Sequence, residues 1–306
     1  MRRIVSILII VAASLWAYDY PMRPFAARHQ ITSTFGEGRR TRFHNGVDII
    51  PRSTVPTDTC WLVYSLISDT ILRYNPSDTN NNGVYDIHKN YWYLHLYHRV
   101  EDSTYCTAFV DSIGRIKTGT GLNHCHFIEM NSSNVYINPL RSSGLSPFID
   151  TASPIIESVS FKRQGSGVHL NKDSLSDTVD IVVRVYDPRV DTTGGNAGRG
   201  MGIYKIQYEI LDTLKNPIPG AINSYQFDSL PLNSATARYG LVYHDSTDWD
   251  NGIFYYWVSN APFATTPNQY WNTKQKADSA GIPFPDLIIL SIDFYLIFDT
   301  INCKEA

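Results

Sequence analysis

Apolar and polar residues alternate with a period of two along the second half of the chain. In residues 179–185, the valines and isoleucine at odd positions share one face, while Asp180 and Arg184 fall on the other. The same alternation runs through residues 204–210. It predicts strands, because successive side chains of a strand point to opposite faces. Such short strands predict a β-sandwich of the immunoglobulin or fibronectin type over residues 155–306, with further strands at Ile155–Phe161, Arg238–Tyr243 and Phe254–Val258.

The first half also favours strands, and helical periodicity is nearly absent from it. We therefore expect an all-β protein whose residues 18–141 form a compact antiparallel β domain. Residues 142–154 are rich in Ser, Gly and Pro and are interpreted as a linker between the two domains. The strands expected in the first domain are Ile31–Phe35, Trp61–Ile67, Thr70–Tyr74, Tyr91–Leu96, Thr107–Val110 and Cys125–Met130.

The first 17 residues combine a basic start, a short apolar run and the small residue Ala17. This pattern predicts a secretory signal peptide, and an N-terminal anchor helix is the alternative. The apolar run is too short to span a bilayer comfortably, which favours a signal peptide. Once residues 1–17 are removed, we expect no stable transmembrane segment. The formal net charge of −3 gives no electrostatic argument for nucleic-acid binding.

Two histidines stand two residues apart in the predicted strand that follows Gly121. On a strand, His124 and His126 share one face and Cys125 occupies the other. Such a pair can place one imidazole on a metal and the other beside the reacting atoms.

A second motif, His44-Asn-Gly-Val-Asp48, can supply an imidazole and a carboxylate to the same metal. The spacing alone does not select it, since it recurs at His98/Asp102, His169/Asp173 and His244/Asp248. Its context does select it: the arginines of residues 39–42 precede His44, and Gly46 permits close backbone approach beside the ligands.

Four motifs occur in a characteristic order: ITSTFGE at 31–37, HNGVD at 44–48, YLHL at 93–96 and HCHF at 124–127. Over roughly residues 20–141 the chain resembles the lysostaphin-like, or beta-lytic, zinc metallopeptidases. Cys125 stands where the family usually has Leu, and an Asn-rich insertion precedes YLHL. The resemblance implies a fold of the duplicated-hybrid-motif type and one zinc ion held by His44, Asp48 and His126. It also implies catalytic roles for His95 and His124.

The resemblance implies a secreted, periplasmic or cell-envelope bacterial enzyme. Its expected substrates are the stem or cross-bridge peptides of peptidoglycan, and we expect a monomer. Two alternatives stay open. One is a catalytically silent module that binds peptidoglycan or regulates another hydrolase, and the other is an adhesion protein with a vestigial peptidase domain.

Residues 78–86 support two interpretations. Oxygen donors at Asp78, Asn80, Asn82 and Asp86, with Gly83 at the sixth position, resemble a calcium loop. The acid expected at the twelfth position is replaced by Lys89. The alternative is a turn between two strands, because Asn, Asp and Gly favour turns.

The chain has four cysteines, and Cys60 and Cys106 are the expected disulfide pair if the exported protein forms one. Cys125 is expected to be a small core residue, and Cys303 is expected to stay unpaired.

Overall fold

The computed structural model describes residues 17–260, together with the short segments 271–272 and 289–291. Within the main range, residues 79, 120, 173–174, 176–177, 189–199, 212–216 and 231–234 are not described. The predicted signal peptide lies outside the described residues except for Ala17, and so does Cys303.

Antiparallel strands dominate the described residues, which include a single α-helix, and the prediction of an all-β protein is confirmed. The helix, α1, spans Ala235–Val242. The strands of residues 17–141 are β1 Gln30–Ser33, β2 Gly38–Arg39, β3 Arg42–Phe43, β4 Val47–Ile50, β5 Leu62–Tyr64, β6 Asp69–Tyr74, β7 Gly83–Asp86, β8 Tyr91–Leu94, β9 Leu96–Tyr97, β10 Thr104–Cys106, β11 Ser112–Ile116, β12 Cys125–Met130 and β13 Tyr136–Ile137. Those that follow are β14 Ile155–Arg163, β15 His169–Leu170, β16 Thr178–Tyr186, β17 Lys205–Leu211, β18 Pro217–Gln226, β19 Tyr255–Trp257, β20 Trp271–Asn272 and β21 Ile289–Ser291.

The first half is built on an eight-stranded sheet with the order β1-β4-β12-β8-β7-β6-β10, in which β13 also pairs with β12. A three-stranded sheet, β5-β11-β9, shares its core. On β4, Val47 and Ile49 are fully buried in this core, so the intervening Asp48 points to the opposite face. Strand alternation therefore places the Asp48 carboxylate on the face of β4 that points away from this core.

The second half contains a sheet with the order β15-β14-β16-β19, in which β20 also pairs with β16, and a three-stranded sheet, β18-β17-β21. The four apolar residues predicted to share one face of residues 179–185 are all fully buried. Pattern and burial agree because β16 is a central strand with one face against the core.

Two predicted strands are wrong. Arg238–Tyr243 falls largely within α1, because Tyr239 and Tyr243 recur at helical spacing and pack on Phe43 with ring centroids 5.7 and 6.0 Å away. Thr107–Val110 is a turn between β10 and β11, in which the Val110 amide donates to the Thr107 carbonyl. Val110 is 65% exposed, so its apolar side chain was a misleading strand signal.

Cys60 and Cys106, the pair best placed for a disulfide, do not form one, since both thiols are free. Cys60 lies in a short 3₁₀ turn that leads into β5, whereas Cys106 lies on β10 and pairs with Asp69 of β6. The two cysteines therefore adjoin different sheets. Cys125 is fully buried in the core, as expected.

The two halves are in contact. The backbone of Asn138 donates to the Asp228 carbonyl at 2.8 Å, and that of Leu230 donates to the Tyr136 carbonyl at 3.0 Å. The start of the predicted linker is tied down as well, because residues 144 and 146 exchange backbone hydrogen bonds with Tyr18. The division into domains at 142–154 stays a prediction.

Candidate metal centre

Strand pairing brings the two histidine motifs together. Asp48 on β4 lies directly opposite His126 on β12, and His126 lies opposite Leu94 on β8, the residue before His95. His44 precedes β4 in a turn that Gly46 allows to lie close to β12. A Cβ atom at Gly46 would come within 2.3 Å of the Phe127 carbonyl oxygen.

Three ligand atoms from His44, Asp48 and His126 converge at one point, all within 4.8 Å of one another. His44 Nε2 lies 3.1 Å from Asp48 Oδ1 and 2.9 Å from His126 Nδ1. His126 Nδ1 lies 2.9 Å from the same carboxylate oxygen. The three side chains are buried, with at most 7% of each residue exposed.

In both His44 and His126, the ring nitrogen that faces away from the group has a hydrogen-bond acceptor beside it. The nitrogen that faces the group therefore presents a lone pair in the neutral ring. His44 Nδ1 lies 2.8 Å from the Thr34 carbonyl oxygen and can only donate to it, which leaves Nε2 without a proton in the neutral ring. His126 Nε2 lies 3.2 Å from Asn45 Oδ1, and donation there leaves Nδ1 without a proton. Two nitrogen lone pairs and a carboxylate oxygen at such distances repel one another unless a cation lies between them. The residues present therefore fit a metal ion.

The two predicted catalytic histidines stand beside this group without belonging to it. His124 Nε2 lies 3.4 Å from Asp48 Oδ1, and the His124 ring centroid is 4.8 Å from that of His95. His95 Nδ1 donates to the Asn80 carbonyl oxygen at 2.6 Å, which leaves its Nε2 as the acceptor nitrogen. His95 has a left-handed backbone, with φ of +64°, at the break between β8 and β9. A non-glycine residue held there is strained, which is common at functional sites.

Burial favours the neutral form of three histidines of this site, His95, His124 and His126. It lowers the pKa of His126 to about 3 and that of His95 to about 4, and it lowers the pKa of His124 as well. Burial raises the pKa of Asp48, but the neighbouring His124 and His44 outweigh it and hold the pKa of Asp48 well below its usual range. A neutral imidazole and an ionised carboxylate are the protonation states that bind metal.

A buried ionic network of Ser33, Glu37 and Arg39 contacts the Asp48 carboxylate through its Oδ2 atom. Arg39 Nη2 lies 3.5 Å from Asp48 Oδ2, and the same guanidinium contacts Glu37 and the Ser33 hydroxyl. Glu37 is 2% exposed and accepts from the Ser33 hydroxyl at 2.8 Å. It also accepts from the Gly202 amide of the second half at 3.3 Å. The orientation of a ligand carboxylate thus depends on residues from both halves.

The site opens into a cleft of about 640 Å³. Its lining combines all five predicted site residues with aromatic and basic side chains. The aromatic and basic side chains of the lining include Arg39, Arg42, Tyr74, Trp92, Tyr136 and Trp249.

The predicted calcium ligands do not join the metal group within the described residues. The Asp78 carboxylate accepts from the amides of Asn80 and Asn81 at 2.7 and 2.9 Å. Asp86 accepts from the amides of three other residues, His88, Asn90 and Tyr91. These separate hydrogen bonds favour the turn over the calcium loop, although Asn82 Oδ1 is buried without a partner.

Several residues of the site were not predicted: Asn45 and Thr34, which orient His126 and His44, the Ser33–Glu37–Arg39 network, and Trp249. Ser33, Thr34 and Glu37 lie inside the ITSTFGE motif, and Asn45 lies inside HNGVD. Their positions within these motifs could have marked them as residues of the site. Trp249 is about 200 residues away, and nothing local connects it to the site.

Comparisons with family models, curated proteins and solved structures give no match to this chain. None of the helices in the described part is long and apolar enough to cross a membrane.

Proposed function

We propose that this protein is a zinc metalloendopeptidase that hydrolyses peptide bonds in bacterial peptidoglycan. The observation that carries the proposal is the convergence of His44, Asp48 and His126 as three candidate metal ligands that line an open cleft. Two imidazoles and one carboxylate are a donor set that zinc prefers in hydrolytic sites. In this interpretation residues 18–141 form a metallopeptidase domain of the duplicated-hybrid-motif type. Residues 155–306 form an immunoglobulin- or fibronectin-like β-sandwich.

When bound, zinc supplies Lewis acidity and lowers the pKa of a water toward ~7. His95 or His124 takes the proton from the attacking water, since burial keeps both rings neutral near neutral pH. The His95 Nε2 acceptor is suited to this role, because its Nδ1 is engaged by the Asn80 carbonyl. The partner histidine then stabilises the developing oxyanion, and proton return to the leaving amine completes the hydrolysis.

The proposal includes one zinc ion per chain, a monomer, and secretion to the bacterial envelope or beyond. The competing proposals are a silent peptidoglycan-binding or regulatory module and an adhesion protein with a vestigial peptidase domain. A complete ligand set with both flanking histidines supports the enzyme, because a silent module has no need for neutral imidazoles beside the ligands.

Alanine variants distinguish the ligands from the proton-transfer residues. Replacing His44, Asp48 or His126 should empty the site of zinc and abolish hydrolysis together. His95→Ala and His124→Ala should retain zinc and lose on the order of 10²-fold or more in turnover. Zinc content by mass spectrometry and release of peptidoglycan fragments provide the two readouts. If His124→Ala loses zinc while His126→Ala keeps it, the two assignments are reversed.

A further inference from the structure

One wall of the metal cleft is supplied by the second half of the chain. Trp249 lines the cleft and begins a 3₁₀ turn, Trp249–Asn251. This turn is held in place by Asp248, whose carboxylate accepts from the Asn251 side-chain amide at 2.7 Å. Gly252 closes the turn in a left-handed conformation, with φ of +67°. The indole is therefore presented from a well-defined turn.

The segment that carries Trp249 is fastened to the hairpin β2–β3, next to the metal ligands. The Phe43 ring packs on Phe227, Tyr239 and Tyr243, with centroids 5.7 to 6.1 Å apart. The Tyr243 hydroxyl donates to the Gly36 carbonyl oxygen at 2.8 Å. These contacts set the position of the second half against the hairpin.

The same hairpin places guanidinium groups around Trp249. The Cζ atoms of Arg39 and Arg40 lie 5.1 and 5.9 Å from the centroid of the indole. At these distances the cations attract the aromatic ring and restrict its orientation.

The charges on this side of the cleft are not balanced. Arg39 is engaged by Glu37 and Asp48, whereas the exposed Arg42 has no ion pair with any residue that the structure describes. Among the described residues that line the cleft, Asp48 is the one acidic side chain. A free guanidinium in a cleft binds carboxylates with two parallel hydrogen bonds, and an indole in the same cleft packs on peptide planes and aliphatic chains.

We propose that Trp249 and Arg42, which line the same cleft as the candidate metal ligands, form a substrate subsite that binds a carboxylate-bearing segment of the peptide that is cut. This inference rests on the proposed hydrolase function and adds a substrate class to it, namely acidic peptides. It also gives the second half a direct role in substrate binding, since Trp249 belongs to that half and Arg42 to the first.

The test uses purified peptidoglycan in two forms, native and with its free peptide carboxylates converted to amides. The wild-type protein loaded with zinc should cleave the native form with a kcat/KM about tenfold higher or more, since a charged hydrogen-bonded pair is at stake. Arg42→Gln should bring this ratio close to one. The control Arg52→Gln should keep the wild-type ratio, because Arg52 is exposed and does not line the cleft.

Trp249→Ala should raise the apparent KM for both forms by about tenfold, from loss of a packed aromatic contact, while zinc content stays at one per chain. The matched control is Trp257→Ala. Trp257 also belongs to the second half, but its ring packs near His244 and Lys162, and it does not line the cleft.

The proposal is overturned if the wild type cleaves both forms equally or if Arg42→Gln keeps the preference. It is also overturned if the two tryptophan variants behave alike. If zinc-loaded wild type cleaves neither form, the proposed hydrolase fails, and co-sedimentation with the two peptidoglycan forms tests the subsite separately. Arg42-dependent preference for the native form then supports the subsite, and equal sedimentation refutes it.

Discussion

Removing Glu37 from its ion pair with Arg39 should destabilise the protein far more than removing Glu101 from its ion pair with Arg73. Glu37 is 2% exposed, and the Arg39 side chain is 15% exposed. Glu37→Ala would leave the guanidinium nearly buried without its principal partner and would remove the acceptor of the Gly202 amide. Breaking a buried pair in this way costs about 3–5 kcal/mol, a large part of a typical unfolding free energy of about 5–15 kcal/mol.

The matched control is Glu101→Ala. Glu101 pairs with Arg73 at 3.1 Å, but its side chain is 86% exposed, so the loss should stay below about 1 kcal/mol. Urea unfolding at neutral pH, monitored by tryptophan fluorescence and circular dichroism, gives both free energies under identical conditions. Equal losses in the two variants, or a loss below about 1 kcal/mol for Glu37→Ala, would refute the argument that this network is a buried structural element.

Three further predictions concern other parts of the molecule. Gly36→Ala should cost more stability than Gly121→Ala: both glycines have φ of +78°, but a Cβ atom at Gly36 would lie 2.5 Å from the Phe227 ring, whereas Gly121 faces open space. The free energies of unfolding of the two variants should differ by about 1–3 kcal/mol in thermal or urea unfolding, because only Gly36 packs against the second half. Equal free energies would contradict that packing. Burial lowers the pKa of His29 below 6.5, so the folded state binds fewer protons than the unfolded chain, and stability should fall as pH decreases below 6.5. His29→Gln should flatten that part of the stability curve, and an unchanged slope would exclude His29 as its source. Millimolar calcium should leave the melting temperature unchanged, because the Asp78 carboxylate is engaged by the turn; a rise that Asp78→Ala abolishes would restore the calcium loop.

Much of the candidate metal site could be predicted because its residues lie in short motifs whose local geometry is simple. His124 and His126 both reach Asp48 Oδ1, at 3.4 and 2.9 Å, while Cys125 is fully buried on the other face, as strand alternation requires. Gly46 was expected to allow a close backbone approach, and its neighbour is the Phe127 carbonyl.

What could not be predicted depends on pairing between distant segments. The register that sets His126 opposite Asp48 joins residues 78 positions apart, and no local pattern specifies it. Trp249 lines the cleft because contacts between distant segments, among them the aromatic side chains around Phe43, hold the second half in place. The same cluster explains why a strand was predicted where α1 lies. Tyr239 and Tyr243 are four residues apart, a spacing that fits one face of a helix as well as an interrupted strand pattern.

The most direct test of the central claim is the mass spectrum of soluble fragments released from purified peptidoglycan by the zinc-loaded protein. Fragments whose masses correspond to hydrolysis of a peptide bond should be present with the wild type and absent with Asp48→Ala. Wild-type protein that holds one zinc ion per chain but releases no such fragments would contradict the proposed endopeptidase.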